Sequence, residues 1–246
     1  MEGVYRFGKQ NIAVCSQYEA VHRLCEAWRT DEAPDFRVSV TAGDIDFERE
    51  RAAASDAALG RGAKAYTDDY LEELAVYRAV VERMPLYDTV LFHGSALAVD
   101  GEGFLFAAPS GVGKSTHARL WRALLGDRVV MVNDDKPLLC FDGDGVTVYG
   151  TPFRGKHKLG GDVSAPLTAV CLLSRARENA IRPVTPAEAY PALLGQVYRP
   201  AERRALARTL TLIDRLAASA GLWRLECKMS LDAARTACRA MRGSES

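Results

Sequence analysis

Apolar residues along this chain fall into two textures that meet near residue 85. In the first part the signals are short and separated. Val4 to Val14 predicts a strand pair broken at Gly8-Lys9-Gln10-Asn11, Tyr18 to Trp28 an amphipathic helix, and the alternation of Phe36 to Val40 a strand. Residues 44–65 are polar and rich in Ala and Gly, and read as a loop or excursion holding a short helix. Thr67 then caps a helix that carries Asp68 and Asp69 in its first turn and Leu71, Leu74, Val76, Val80 and Val81 on its apolar face, with Pro85 ending it.

From Leu86 the apolar runs are denser. Thr89 to Phe92 and Ser95 to Val99 predict strands with a turn at Asp100-Gly101, and Phe104 to Ala107 a third. His117 to Leu125 follows at helical spacing and stops at Gly126. Val129 to Val132 is wholly apolar, the pattern of a strand at a buried sheet centre. Asp142-Gly143-Asp144-Gly145 between Leu138–Phe141 and Val146–Tyr149 predicts a hairpin. Leu167 to Leu173 reads as another buried strand. Thr185-Pro186-Ala187-Glu188 is a capping box opening a helix to about Val197, and a longer helix runs from about Glu202 to Ala218. Trp223 to Cys227 and a Ser230-capped helix to Met241 close the chain. Strands alternating with helices around an internal hairpin predict an α/β fold on a mixed sheet, residues 86–246, preceded by a small α+β lobe, residues 1–85, for substrate recognition or for covering one sheet face.

Composition narrows the function classes. With 32 basic and 32 acidic side chains in 246 residues the formal charge is zero, which gives no electrostatic reason to expect nucleic acid or an anionic membrane as partner. No apolar run approaches a bilayer span, and the N-terminus lacks a signal-peptide core. Six scattered cysteines without a Cys-x-x-Cys pair suit reduced, buried thiols in a cytoplasmic protein, and the four histidines have no metal-pair spacing. Trp28, Trp121 and Trp223 read as core.

The chemistry concentrates at Ala108-Pro109-Ser110-Gly111-Val112-Gly113-Lys114-Ser115-Thr116, between a strand and a helix. That context and the Gly-x-Gly-Lys-Ser core are those of a phosphate-binding loop. Gly111 and Gly113 allow the backbone amides to turn around an anion, and the helix N-terminus adds a positive dipole end. Ser110, Gly111, Val112, Gly113, Lys114, Ser115 and Thr116 are thus the expected nucleotide contacts. Lys114 would reach the β- and γ-phosphates and Ser115 would ligate Mg²⁺. The ligand implied is a nucleoside triphosphate.

Asp134 and Asp135 directly follow the apolar strand Val129 to Val132. Carboxylates at such a strand end lie beside a phosphate loop, where one can hold Mg²⁺ with Ser115, the duty given to Asp135, and another can accept a proton from an attacking hydroxyl. A plain Asp-Asp turn is the bland alternative. Gly150 to Lys158 is a basic, glycine-bearing loop. Arg154 and Lys156 in it would clamp the transferring phosphate or an acidic acceptor, against the alternative of a solvated turn. His93 reads from its apolar surroundings as a core histidine, and His117 as helix surface or packing.

Taken in order, His93-Gly94, Pro109 to Ser115 and Val132-Asn133-Asp134-Asp135-Lys136 resemble the C-terminal catalytic domain of HPr kinase/phosphorylase, whose fold is akin to phosphoenolpyruvate carboxykinase. Gly150-Thr151-Pro152-Phe153-Arg154-Gly155-Lys156 is similar to HPr-kinase-related proteins of peptide maturation, including lasso-peptide kinases. The chain departs from the pattern at Ala108, where a glycine is usual, and at Thr116, where the bifunctional enzymes carry an acid. The resemblance implies an ATP- and Mg²⁺-dependent kinase acting on a serine of a small protein or peptide, with His93 beside the Asp pair. A small-molecule hydroxyl kinase and a non-catalytic nucleotide-sensing module remain as alternatives, and homo-oligomerisation stays open.

Overall fold

The computed structural model describes residues 1–62 and 64–243, and divides into two compact units, Met1–Arg83 and the chain from Met84 onward.

The first unit is built on a three-stranded sheet. Strands β1 (Glu2–Phe7) and β2 (Gln10–Cys15) form an antiparallel pair around Gly8, whose φ is +66°, and β3 (Phe36–Ser39) lies parallel to β2. Helix α1 (Ala20–Cys25) continues as a 3₁₀ turn to Trp28, which is buried. The buried His22 ring bonds Tyr5 Oη at 2.6 Å and Ser16 Oγ at 2.8 Å. The Glu72 carboxylate accepts from the amides of Gln17 and Tyr18 at 2.6 and 2.8 Å.

The expectation of a loop over residues 44–65 is corrected. Ala42–Ala58 is a 17-residue helix, α2, opened by a reciprocal capping box between Thr41 and Asp44. Ala63, within the expected loop, lies outside the described residues. The apolar periodicity was weak because α2 buries only Ile45, Glu48 and Asp56. It is fixed by polar contacts to the next helix, α3 (Asp68–Arg83), and its approach, with Arg78 Nε donating to Glu48 at 2.6 Å and Tyr66 Oη to Asp56 at 2.9 Å. Good helix formers and a strong cap carry a helix that has little hydrophobic stripe.

The second unit is a curled nine-stranded mixed sheet. Its strands are β4 (Thr89–Leu91), β5 (Ser95–Val99), β6 (Glu102–Ala107), β7 (Val129–Asn133), β8 (Leu138–Asp142), β9 (Gly145–Tyr149), β10 (Ser164–Arg175), β11 (Ala180–Pro183) and β12 (Gly221–Cys227). The main path runs β4-β8-β9-β10-β6-β5-β7, with β12 on β10 and β11 on β12. β10 pairs parallel with β6 and β12 and antiparallel with β9, so this 12-residue strand joins both halves of the sheet. The short strand β11 had no distinct apolar signature in the sequence. β8 and β9 form the expected hairpin.

Alternation along the strands sorts the side chains into two cores. Leu105, Ala107, Val170 and Leu172 face a core closed by α5 (Pro186–Gln196) and α6 (Arg203–Ser219). Phe104, Phe106, Ala169 and Cys171 face another, closed by α4 (Lys114–Leu125) and α7 (Leu231–Arg242). The capping box of α5 and the Ser230 cap of α7 form as the sequence predicts. β7 is not at the sheet centre: it ends the path, with β5 as its one strand partner among the described residues, and Val130 is 47% exposed. Its apolar run reflects burial of Val129, Met131 and Val132 on both faces, with Val130 alone exposed at the edge. Trp121 is fully buried and Trp223 half-buried.

His117 is fully buried rather than on the helix surface. Its Nε2 accepts from Trp121 Nε1 at 3.1 Å and its ring meets Phe106 edge-on at 4.8 Å. Burial pushes the imidazole down from 6.5 to about 4. Between these values the unfolded chain binds a proton that the folded protein refuses. The contribution to stability is therefore full above pH 6.5 and lost as pH falls toward 4, a swing on the order of 3 kcal/mol for a shift of this size. Thermal unfolding measured from pH 7 to 4 should show a shallower pH dependence in His117→Asn than in the wild type.

Candidate functional site

The glycine-rich loop spans the joint between β6 and α4. Gly111 and Gly113 adopt φ of +81° and +125°, a region that side chains disfavour, which lets the chain coil before the helix begins at Lys114. Lys114 is buried, and its Nζ folds back to donate to the Ala108 carbonyl at 2.8 Å. Burial pushes this ammonium below the ordinary lysine range, opposed by the charge of Asp135. Ser115 Oγ donates to the Asp134 carbonyl at 3.0 Å, which ties the loop to the end of β7. Ser110 and Gly111 are exposed, while Val112, Gly113, Ser115 and Thr116 are half-buried.

Arg175, at the end of β10, holds the loop from outside. Its guanidinium donates to the Gly111 and Val112 carbonyls at 3.0 and 3.1 Å. In a trans peptide the carbonyl and the following N–H point in opposite directions. Drawing these two carbonyls outward therefore turns the Val112 and Gly113 amides toward the concave side of the loop.

The residues after β7 are organised by Asn133, which is fully buried. Its Oδ1 accepts from the amides of Asp135 and Lys136 at 2.9 and 2.7 Å, while its Nδ2 donates to Thr151 Oγ1 at 3.0 Å and to Thr151 O at 3.2 Å. This fixes a tight turn and anchors the basic loop to it. Asp134 is 1% exposed; its Oδ1 accepts from the Gly155 amide at 2.7 Å, and its Oδ2 is buried with no hydrogen-bond partner among the described residues.

Asp135 sits between His93 and Lys136. His93 Nε2 lies 3.5 Å from its Oδ1, and Lys136 Nζ donates to its Oδ2. Burial would raise this carboxyl, but the His93 hydrogen bond and the Lys136 charge outweigh it and hold the group at about 2. His93 is thus no core histidine: its side chain is 38% exposed and aimed at the carboxylate. Its backbone amide donates to Gln196 O at 2.7 Å, and the next amide, Gly94, donates to Asp135 O at 3.0 Å. With its nitrogen facing inward, the Gln196 side-chain amide donates to His93 Nδ1 at 3.0 Å and to Ala108 O at 2.9 Å. One residue at the end of α5 therefore joins the histidine to the same carbonyl that receives Lys114.

Arg154 does not project toward the loop as a free cation. Its guanidinium donates to the carbonyls of Lys158 and Gly160, both at 3.1 Å, and braces its own loop. The chain reverses there, with Lys158 at φ +51° and Gly160 at φ +110°, which leaves those carbonyls in need of a donor. Lys156 is exposed. The structure thus brings Lys114, Ser115, Asp134, Asp135 and His93 together, with the Gly155 backbone, and gives Arg154 a bracing position. Lys136, Gln196, Arg175 and the pinning role of Asn133 were missed as site-builders. Lys136 stood within the quoted Asp-Asp motif; Gln196 and Arg175 carry no local signal.

Fold and site together define a mixed α/β protein with a glycine-rich loop at a strand–helix joint, linked to paired carboxylates. Residues 67–198, over half of the chain, match the family described as SynChlorMet cassette protein ScmC, and the chain belongs to that family. Among 46 matching solved chains, the Hpr(Ser) kinase/phosphatase from Coxiella burnetii is 16% identical and aligns over 51% of this chain and 90% of its own, with a TM-score of 0.29. No curated protein matches. Among the described residues no helix is long and apolar enough to cross a membrane.

The Gln196 bond requires a lone pair on His93 Nδ1, so neutral His93 carries its proton on Nε2, facing Asp135. Long-range ¹H–¹⁵N NMR should find that tautomer in the wild type and a mixture of tautomers in Gln196→Leu.

Proposed function

We propose that the protein is a kinase that transfers the terminal phosphate of ATP to a hydroxyl, a serine of a peptide or small protein. One observation carries this reading: the glycine-rich loop is bonded through Ser115 to Asp134, so phosphate-binding groups and paired carboxylates share one end of the sheet. The loop amides and the α4 N-terminus suit an anionic polyphosphate, and Lys114, released from Ala108, suits its β- and γ-oxygens.

Asp135 suits the acceptor side. It would receive a hydrogen bond from the serine hydroxyl and take its proton as the new oxygen–phosphorus bond forms. The bond between the γ-phosphorus and the bridging oxygen breaks, and ADP leaves with the negative charge. His93 would hold Asp135 in place through Nε2–H. Lys136, now on Asp135, lies beside the same centre and could share the charge on the transferring group.

Mg²⁺ fits the residues present. Asp134 Oδ2 is a buried carboxylate oxygen without a partner among the described residues, and Ser115 contacts the same residue. Asp134 and Ser115 would hold the ion together with phosphate oxygens and water, and it would neutralise charge on the β- and γ-phosphates. The metal duty thereby moves from Asp135, whose oxygens face His93 and Lys136, to Asp134.

Two sets of variants test this. Lys114→Ala should weaken MgATP binding by about tenfold or more while leaving adenosine binding unchanged, and Arg175→Ala should do the same to a smaller degree by freeing the loop carbonyls, both read by calorimetry. Unchanged MgATP affinity in Lys114→Ala would remove the reading.

Asp135→Asn should keep MgATP affinity yet lower phosphotransfer by roughly two to four orders of magnitude, and Asp134→Asn should raise the Mg²⁺ concentration needed for half-maximal rate. Nucleotide binding without transfer to any hydroxyl would instead mark a nucleotide-sensing module.

A further inference from the structure

A cavity of about 340 Å³ lies against the first residues of the glycine-rich loop and has no part in the scheme above. Ala107, Ala108 and Pro109 form one wall, Leu172 and Leu173 at the end of β10 another, and Pro191, Ala192 and Gly195 of α5 a third. Ser174, Gln196 and Arg224 add the polar groups. We infer that this cavity is an acceptor subsite, which takes an apolar side chain next to the serine that is phosphorylated. The inference rests on the kinase reading of the neighbouring loop.

Position decides between the two ends of the nucleotide. In a phosphate loop the lysine reaches the β- and γ-phosphates. Lys114 Nζ lies 2.8 Å from Ala108 O, so the Ala108 end of the loop is the terminal-phosphate end. The nucleoside then extends away from it, and the cavity walled by Ala107 to Pro109 is on the side from which an acceptor must approach. Gln196 makes the connection physical. Its amide touches Ala108 O and His93 Nδ1, and His93 faces Asp135. A group seated in the cavity is therefore one side chain away from the carboxylate proposed to receive the hydroxyl proton.

Size and lining name the occupant. The cavity is at the small end of ligand sites, which run from about 300 to 1,000 Å³, so it suits one leucine- or phenylalanine-sized side chain with its backbone. Its walls are aliphatic. Arg224 Nε is buried without a hydrogen-bond partner among the described residues, and a peptide carbonyl would satisfy it.

Gly195 supplies the test. It is helical and exposed at the cavity wall, and a Cβ built on it meets nothing within 4 Å, so a larger side chain fits there without backbone strain. Calorimetry in the presence of MgADP would compare two short synthetic peptides with one serine, flanked on both sides by leucine or by glycine. The wild type should bind the leucine peptide about tenfold or more tightly than the glycine peptide, as expected for burial of one aliphatic side chain. Gly195→Leu should abolish that preference and leave MgADP affinity unchanged, and Ala192→Phe should act alike if Gly195→Leu fails to fold. Equal binding of the two peptides by the wild type would overturn the subsite, as would weakened MgADP binding in Gly195→Leu, which would place the nucleoside in the cavity. Leucine-dependent binding without phosphotransfer would retire the kinase reading and keep the subsite. Phosphotransfer to both peptides without preference would do the reverse.

Discussion

The buried amide of Asn133 holds the candidate site together. It sits at the last position of β7, fully out of solvent, and makes four hydrogen bonds: two accepted from the turn that follows, two donated to Thr151. A buried amide group left unpaired costs about 1–3 kcal/mol, so each bond is enforced by the others. The result is a fixed distance between the Asp134–Lys136 turn and the loop that begins at Gly150. Neither segment is regular structure.

The pin works because β7 is an edge strand. Among the described residues its outer side has no neighbouring strand, and unpaired edge groups need partners. The loop after β9 supplies them: the Asp134 amide donates to Leu159 O at 3.2 Å and the Gly161 amide to Val132 O at 3.4 Å. The approach is close enough that a Cβ on Gly150 would stand 1.9 Å from Gly161 O and 2.6 Å from Val132 O, so only glycine permits it. Loop in place of strand is what brings the Gly155 amide onto Asp134. A β7 buried at the centre of the sheet would have had a strand there instead.

Much of this was legible from local pattern. The hairpin at Asp142–Gly145, the capping box at Thr185–Glu188 and the strand–loop–helix at Ala108 to Thr116 each carry their signal within a few residues, and the elements form there. What stayed hidden depends on partners distant in sequence. Gln196 meets His93 from over a hundred residues away, and Arg175 meets the glycine-rich loop from more than sixty. Helix α2 was hidden for the opposite reason: it lacks a broad apolar stripe and is held by Arg78 on Glu48, a contact that hydrophobic periodicity does not register. Arg154 shows the limit of charge as a signal. A basic residue in a glycine-bearing loop reads as a free cation until the carbonyls of Lys158 and Gly160 are seen to occupy it.

The charge balance around Asp135 links this geometry to chemistry. Without ligand, burial is outweighed by His93 and Lys136, and the carboxyl is held at about 2, which is far too acidic for an efficient proton acceptor. On the kinase reading that balance changes when a polyphosphate enters. The phosphates compete for Lys114 and Lys136, and their own negative charge disfavours a second anion beside them. Both effects raise the proton affinity of Asp135, against the opposing charge of the Mg²⁺ proposed on Asp134. The carboxylate would then become a useful base only with nucleotide in place, while His93, fixed from behind by Gln196, still holds it toward the acceptor.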